Sequence, residues 1–393
     1  MNDLLNRARE LAPYAVRIRH QIHAHPELGL REYQTTALIR SELASMGVEL
    51  APLNMETGAV GLIRGNLPGD GPVTALRADI DALPITEQTG IPYSSQHEGV
   101  MHACGHDGHT AILLGTAKLL TSLRDQFSGV VKLIFQPGEE SGDGARSMLL
   151  AGVLESPHVD NIVALHGWPP FTVGQVGAWP GQYMASADEF KVTMNGKGGH
   201  GCRPYLAVNP IVASAQAITA IQSIVSNEIA TAQQAVISIC TCHSGTGATS
   251  IPDQAEFEGT VRCLDPGVRQ QLKDRIERVV ENTAKAFGCS CTFTYTDGIP
   301  SLRNDPETVQ RLLNAAQDVL GSDAIGTLDG PVMGAEDFSF FAEQVQKAAL
   351  LRLGVSNLGQ EAPVLHNNHF DFNDDAIPVG IAVLTQYILE TNQ

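Results

Sequence analysis

Three short apolar runs, each ending in a residue capable of chemistry, constrain the fold of this chain more than any other feature. Val73-Thr74-Ala75-Leu76-Arg77-Ala78 leads to Asp79-Ile80-Asp81, and Val130-Val131-Lys132-Leu133-Ile134-Phe135 leads to Gln136-Pro137-Gly138-Glu139-Glu140. Asn161-Ile162-Val163-Ala164-Leu165 ends at His166-Gly167. Runs this short and this apolar are expected of strands buried on both faces, as in a parallel sheet covered by helices. Helical periodicity from His109 to Leu123 and from about Ala145 to Ala151 completes a strand–helix–strand rhythm, which predicts an α/β layer with a mainly parallel sheet. Ligands of such sheets bind beyond the carboxyl ends of the strands. Asp79, Glu139, Glu140 and His166 all fall at that edge.

The stretch His102-Ala103-Cys104-Gly105-His106-Asp107 precedes the first of these helices and adds a thiol and two imidazoles. Thiolate and imidazole suit zinc, cobalt, manganese or nickel better than magnesium or calcium. Cys104 and His106 are too few to hold an ion, so further ligands must come from the strand ends. Adjacent carboxylates in a turning segment point in different directions. One of Glu139 and Glu140 can therefore bind metal while the other faces a substrate, and Pro137, Gly138 and Gly142 favour a shaped loop there. His20, His23 and His25 flank a Pro26–Gly29 break between two amphipathic helices, 3–22 and 31–46, and read as surface or turn residues.

From about Asp188 the rhythm changes to strand (189–194), helix (209–226), strands (236–242 and 256–262), helix (267–287) and strand (289–295). That order is the ferredoxin-like split unit. It predicts a smaller α+β domain, residues 187–297, inserted into a domain built from 1–186 and 298–393. A helix at 306–320, a strand at 349–353 and a closing helix at 376–390 complete the larger domain.

A formal net charge of −18 argues against nucleic acid or an anionic membrane as partner. No run of about 18 apolar residues offers a membrane span, and Met1 to Arg19 lacks the apolar core of a signal peptide. The 7 cysteines are odd in number and not spaced as a disulfide framework, which predicts reduced thiols in a cytoplasmic protein.

The chain resembles the zinc-dependent aminoacylase and carboxypeptidase superfamily, specifically the amidohydrolase branch with hippurate hydrolase and the plant auxin-conjugate hydrolases. The resemblance rests on Arg77-Ala78-Asp79-Ile80-Asp81-Ala82-Leu83-Pro84, Met101-His102-Ala103-Cys104-Gly105-His106-Asp107-Gly108-His109 and Gln136-Pro137-Gly138-Glu139-Glu140. It continues through Gly198-Gly199-His200, Gly259-Thr260-Val261-Arg262, Gly334-Ala335-Glu336-Asp337-Phe338 and Leu365-His366, in the family's order across nearly the whole chain. The resemblance implies two divalent metals, zinc, manganese, cobalt or nickel, with Cys104 bridging and His106, Glu140, His166 and His366 completing the shells. It makes Glu139 the general base and Asp79 the group behind the ligands, a role for which Asp81 competes. It makes the inserted domain a lid and dimer surface of a homodimer or higher homo-oligomer. His200 would reach the partner's site to stabilise an oxyanion, and Arg262 would hold a substrate carboxylate.

The expected reaction is hydrolysis of the amide bond of an N-acyl amino acid by metal-activated water. A metallo-carboxypeptidase or dipeptidase would use the same machinery, and a non-catalytic metal-binding protein is the alternative from another class. The chain departs from the family at Thr249-Ser250-Ile251-Pro252, where the usual asparagine amide near substrate is replaced by the hydroxyl of Thr249. Tyr205 and Asn209 stand where histidine and aspartate are common, and Gly138 replaces the usual alanine.

Overall fold

The computed structural model describes residues 3–357 and 364–393, and the chain divides into two compact units. One comprises the residues up to Gly181, Arg303–Gly330 and those from Phe340 onward; the other is Gln182–Leu302 with Pro331–Ser339.

The first unit is built on a seven-stranded sheet. Its spatial order is Glu49–Leu50, Ala59–Arg64, Val130–Gln136, Val73–Asp79, Asn161–Thr172, Lys347–Ser356, Val176–Gly177. The four strands from Val130–Gln136 to Lys347–Ser356 run parallel, and the shorter strands outside them are antiparallel. Val73–Asp79 and Val130–Gln136 are buried at every position after their first residue, as strands covered on both faces should be. After Val73–Asp79 the chain first forms the neighbour on one side, Val130–Gln136, and then the neighbour on the other, Asn161–Thr172. The order of the sheet therefore reverses at Val73–Asp79, and the crevice beyond such a point is where α/β sheets bind ligands. Helices Asp3–Ala24, His106–Thr121, Pro306–Leu320 and Ile377–Thr391 contribute to one continuous apolar core with the sheet.

Two local expectations need correction. The helix after the cysteine loop begins at His106, not His109, so His106 lies in its first turn. Gly105 makes that sharp entry possible: its φ is +86°, and a Cβ there would lie 2.8 Å from the Phe372 ring. The strand expected to end before His166 continues to Thr172. Its pairing with Val73–Asp79 stops at Arg77–Ala164, whereas its pairing with Lys347–Ser356 continues to Ser356–Thr172. His166 is thus past the strand end on one side only.

The second unit has a four-stranded antiparallel sheet in the order Ala235–Ser244, Gln254–Cys263, Ala187–Asn195, Ser290–Ile299. Numbered along the chain these are strands 2-3-1-4, and with helices Pro210–Glu228 and Pro266–Ala286 they form the split βαβ arrangement. Burial alternates along Gln254–Cys263, so one face meets a separate apolar core while the other is open. Asn209 accepts from Ile211 N at 3.0 Å and caps the first helix, a structural use of the amide that stands at the aspartate position.

Candidate metal centre

Five sequence-predicted ligands converge in the first unit. Cys104 Sγ lies 3.5 Å from His166 Nε2, and Glu140 Oε1 lies 3.9 Å from His106 Nε2 and 3.4 Å from His366 Nε2. Glu139 Oε2 is 4.0 Å from the same His106 nitrogen. Cys104 groups with His106 and His166 on one side and with Glu140 and His366 on the other. Ligand atoms about 2.0–2.3 Å from a tetrahedral ion are separated from one another by about 3.3–3.7 Å, the spacing seen at the Cys104–His166 and His366–Glu140 pairs.

The ring hydrogens are committed away from this cluster. His106 Nδ1 donates to the Asp81 carbonyl at 3.0 Å, and His166 Nδ1 donates to the Gly167 carbonyl at 2.8 Å. Each ring then turns its Nε2 inward, toward the other ligand atoms, as a metal-binding imidazole does. Among the described residues, His106 Nε2 and Glu140 Oε1 are buried without a hydrogen-bond partner. Burial also pushes the Cys104 thiol well above its usual range, despite the opposing effect of His106, so a thiolate there requires a cation. Orphaned donors, fixed tautomers and a buried thiol fit a pair of divalent ions.

A second layer holds this arrangement. Burial alone would raise the Asp79 carboxyl, but His106, His109 and Arg77 outweigh it and hold Asp79 well below the usual carboxylate range. Asp79 Oδ1 accepts from His109 Nδ1 at 2.6 Å, and Asp79 Oδ2 accepts from Arg77 at 2.7 Å. His109 Nε2 in turn accepts from the backbone N–H of Gly167, beside His166, at 2.8 Å. Asp81 Oδ2 accepts from Glu140 N at 2.9 Å, and Asp81 Oδ1 lies 3.2 Å from His106 Nδ1. Asp79 and Asp81 therefore divide the supporting role: Asp79 braces His109 and Arg77, and Asp81 braces His106 and Glu140.

Several supporting residues escape sequence reasoning. Arg19 is wholly buried and bridges Asp107, Asp371 and Asp374 at 2.9, 2.5 and 2.7 Å. His23 is not a surface or turn histidine: it is buried, with Nδ1 2.8 Å from Asp107 Oδ2 and Nε2 3.4 Å from Glu87. Burial would lower its pKa, but Asp107 and Glu87 raise it to about 9. Helical Arg and His ordinarily face solvent, and only distant acids, invisible as partners in the sequence, bring these two inside. His109 had a local signal: it lies one turn beyond His106 on the same helix face.

The remaining sequence-predicted residues belong to the second unit. His200 lies in a two-stranded ribbon, with Ser250–Ile251 opposite, and is exposed. Cys202 N donates to His200 Nδ1 at 3.2 Å. Thr249 is exposed, and its carbonyl accepts from Gly201 N at 2.8 Å. Arg262 is half-buried and donates to Thr260 Oγ1 at 2.7 Å. The seven cysteines are all free, and no helix among the described residues is long and apolar enough to cross a membrane.

Residues 75–390 match the family described as peptidase family M20/M25/M40. The chain is 39% identical over 383 residues to N-acetylcysteine deacetylase of Bacillus subtilis strain 168, covering 96% of this chain and 97% of that protein. It is 38% identical over 387 residues to thermostable carboxypeptidase 1 of Saccharolobus solfataricus, covering 97% of this chain and 96% of that one. Among solved structures, the Bacillus subtilis YXEP protein, described as a dinuclear metal binding peptidase, is similar with a TM-score of 0.84. The two are 34% identical over 98% of this chain and 99% of that one.

Proposed function

This chain belongs to peptidase family M20/M25/M40, and on that premise we propose that it is a two-metal amidohydrolase of N-acyl amino acids. It is a hydrolase of carbon–nitrogen bonds. The observation that carries the reading is the convergence of Cys104, His106, Glu140, His166 and His366, with the Nδ1 hydrogens of His106 and His166 turned away. Cys104, His106, Glu140, His166 and His366 would hold the ions, Cys104 being common to both ligand groups. When bound, two divalent ions supply Lewis acidity that polarises an amide carbonyl and lowers the pKa of water.

Glu139 is the group we assign to move the proton. Its side chain is 11% exposed, enough to meet a substrate while remaining in a low-dielectric setting. It takes a proton from the attacking water as the oxygen bonds the acyl carbon, and returns it to the amine nitrogen as the C–N bond breaks. Asp79 keeps His109 and Arg77 oriented behind the site. His200 is suited to stabilise an oxyanion, because a neutral ring that accepts at Nδ1 carries its hydrogen on Nε2. Arg262 presents a planar guanidinium for a substrate carboxylate, and Thr249 offers an exposed hydroxyl just before the strand that pairs with His200.

The second reading, a carboxypeptidase, is supported by the similarity to thermostable carboxypeptidase 1. Turnover of N-acetyl and N-benzoyl amino acids beside dipeptides, with metal-reconstituted protein, separates the two. Preference for the acylated substrates is expected, and cleavage of dipeptides alone overturns the first reading. We also infer a homodimer or higher homo-oligomer formed through the second unit, which exposes Tyr205, Leu206, Ile211, Val212 and Val236. A fully active monomer in light scattering contradicts this. Seven free cysteines support a reducing, cytoplasmic setting.

A further inference from the structure

The loop bearing Glu139 and Glu140 is short and carries an unusual number of backbone anchors. Gly138 N donates to Glu32 Oε1 at 2.8 Å, and Glu140 N donates to Asp81 Oδ2 at 2.9 Å. The Gly138 carbonyl accepts from Ser141 Oγ at 2.9 Å and from Gly144 N at 3.0 Å. Glu32 is the anchor from farthest away, 106 residues earlier in the chain, and it is completely buried.

The same Glu32 oxygen accepts from Leu30 N at 2.9 Å. Leu30 has φ +61°, a left-handed conformation that is strained for a non-glycine residue. The Leu30 side chain lies over Gly138: Leu30 Cδ2 is 3.0 Å from the place a Gly138 Cβ would occupy. Gly138 itself has φ +64°, which explains a glycine where the resemblance expects alanine. One carboxylate oxygen thus ties two left-handed residues that pack against each other, and the second of them immediately precedes Glu139.

We propose that Glu32 is a positioning residue: through the Gly138 amide it fixes the loop that aims the Glu139 carboxylate. The inference rests on the reading of Glu139 as the proton-transferring group. A side-chain carbonyl-type oxygen suits this place, because one atom accepts both hydrogen bonds. Misplacing a reacting group by about 1 Å lowers a rate by about 10²-fold, so a strained loop without this anchor should lose rate before it loses substrate affinity.

The test compares Glu32→Ala, Glu32→Gln and Glu27→Ala in the full-length protein loaded with cobalt or zinc. Glu27 is the control: its carboxylate accepts from Gln34 N and Thr35 N and stabilises the start of helix Tyr33–Ser45, which Glu32 immediately precedes. Two readouts are taken, steady-state kinetics on an N-acyl amino acid and hydrogen–deuterium exchange of the 138–142 segment. Glu32→Ala is expected to lower kcat about 10²-fold with KM within about threefold, and to accelerate exchange of 138–142. Glu32→Gln, whose side-chain oxygen can accept the same two bonds, should restore slow exchange and most of kcat. Glu27→Ala should lower stability while leaving kcat and that exchange unchanged. The proposal is overturned by wild-type kcat and exchange in Glu32→Ala, or by parallel losses in Glu27→Ala. If exchange responds as expected but even the wild type cleaves no N-acyl amino acid, the anchor stands and the functional reading fails.

Discussion

Replacing His23 with glutamine should remove a defined part of the pH dependence of stability. His23 is buried between Asp107 and Glu87, with Arg19, Tyr93 and His102 also beside it. Its pKa rises from an ordinary 6.5 to about 9, because the two acids outweigh burial and Arg19. The folded protein therefore holds this proton more tightly than the unfolded chain. The stabilisation is complete below about pH 6.5 and disappears as pH rises through about 9. A rise of that size is worth about 3 kcal/mol at its limit, with a steepest loss of about 1.4 kcal/mol per pH unit. Against a typical net stability of about 5–15 kcal/mol this is easily measured. The assay is urea denaturation of chelator-treated wild type and His23→Gln at intervals from pH 6 to 9.5, read as the difference between the two proteins. Glutamine can still donate to Asp107 but does not titrate. Wild type should lose about 3 kcal/mol more than the variant across that range. Parallel curves would refute the assignment of a charged, buried His23.

Arg19→Met leaves Asp107 buried with one cation fewer and should destabilise the protein by about 3–5 kcal/mol in the same denaturation assay, part of it recovered by adding Asp107→Asn. A loss below about 1 kcal/mol would mean that the Arg19 cluster contributes little. Asp81→Ala removes the acceptor for Glu140 N and an oxygen beside His106 Nδ1, so metal affinity should fall about 10- to 100-fold in competition with a chelator. Unchanged affinity would show that the Asp81 backbone carbonyl alone orients His106.

Much of the first unit could be read from the chain because its strands are short, apolar and buried on both faces. Val73–Asp79 and Val130–Gln136 each end one residue past their apolar runs, which is why Asp79 and Glu139-Glu140 can be read as sheet-edge residues. Asn161–Thr172 outruns its apolar run, which ends at Leu165, because pairing with Lys347–Ser356 carries the strand on past His166. His366 had no local signal: it sits in a loop at φ +63° and meets Glu140 from 226 positions away, so only the family resemblance pointed to it. Glu32, Arg19 and His23 were invisible for a related reason. Each is a polar residue on or beside an amphipathic helix, and burial becomes favourable only through partners such as Gly138, Asp371 and Asp107.

If Glu139 moves the proton in a two-metal amide hydrolysis, Glu139→Gln should stop turnover without removing the metals. The measurement is kcat on an N-acyl amino acid, with metal content determined on the same samples. Two ions per chain are expected in both proteins, with kcat lower by about 10²- to 10⁴-fold in the variant. Wild-type turnover by Glu139→Gln at equal metal content would contradict it.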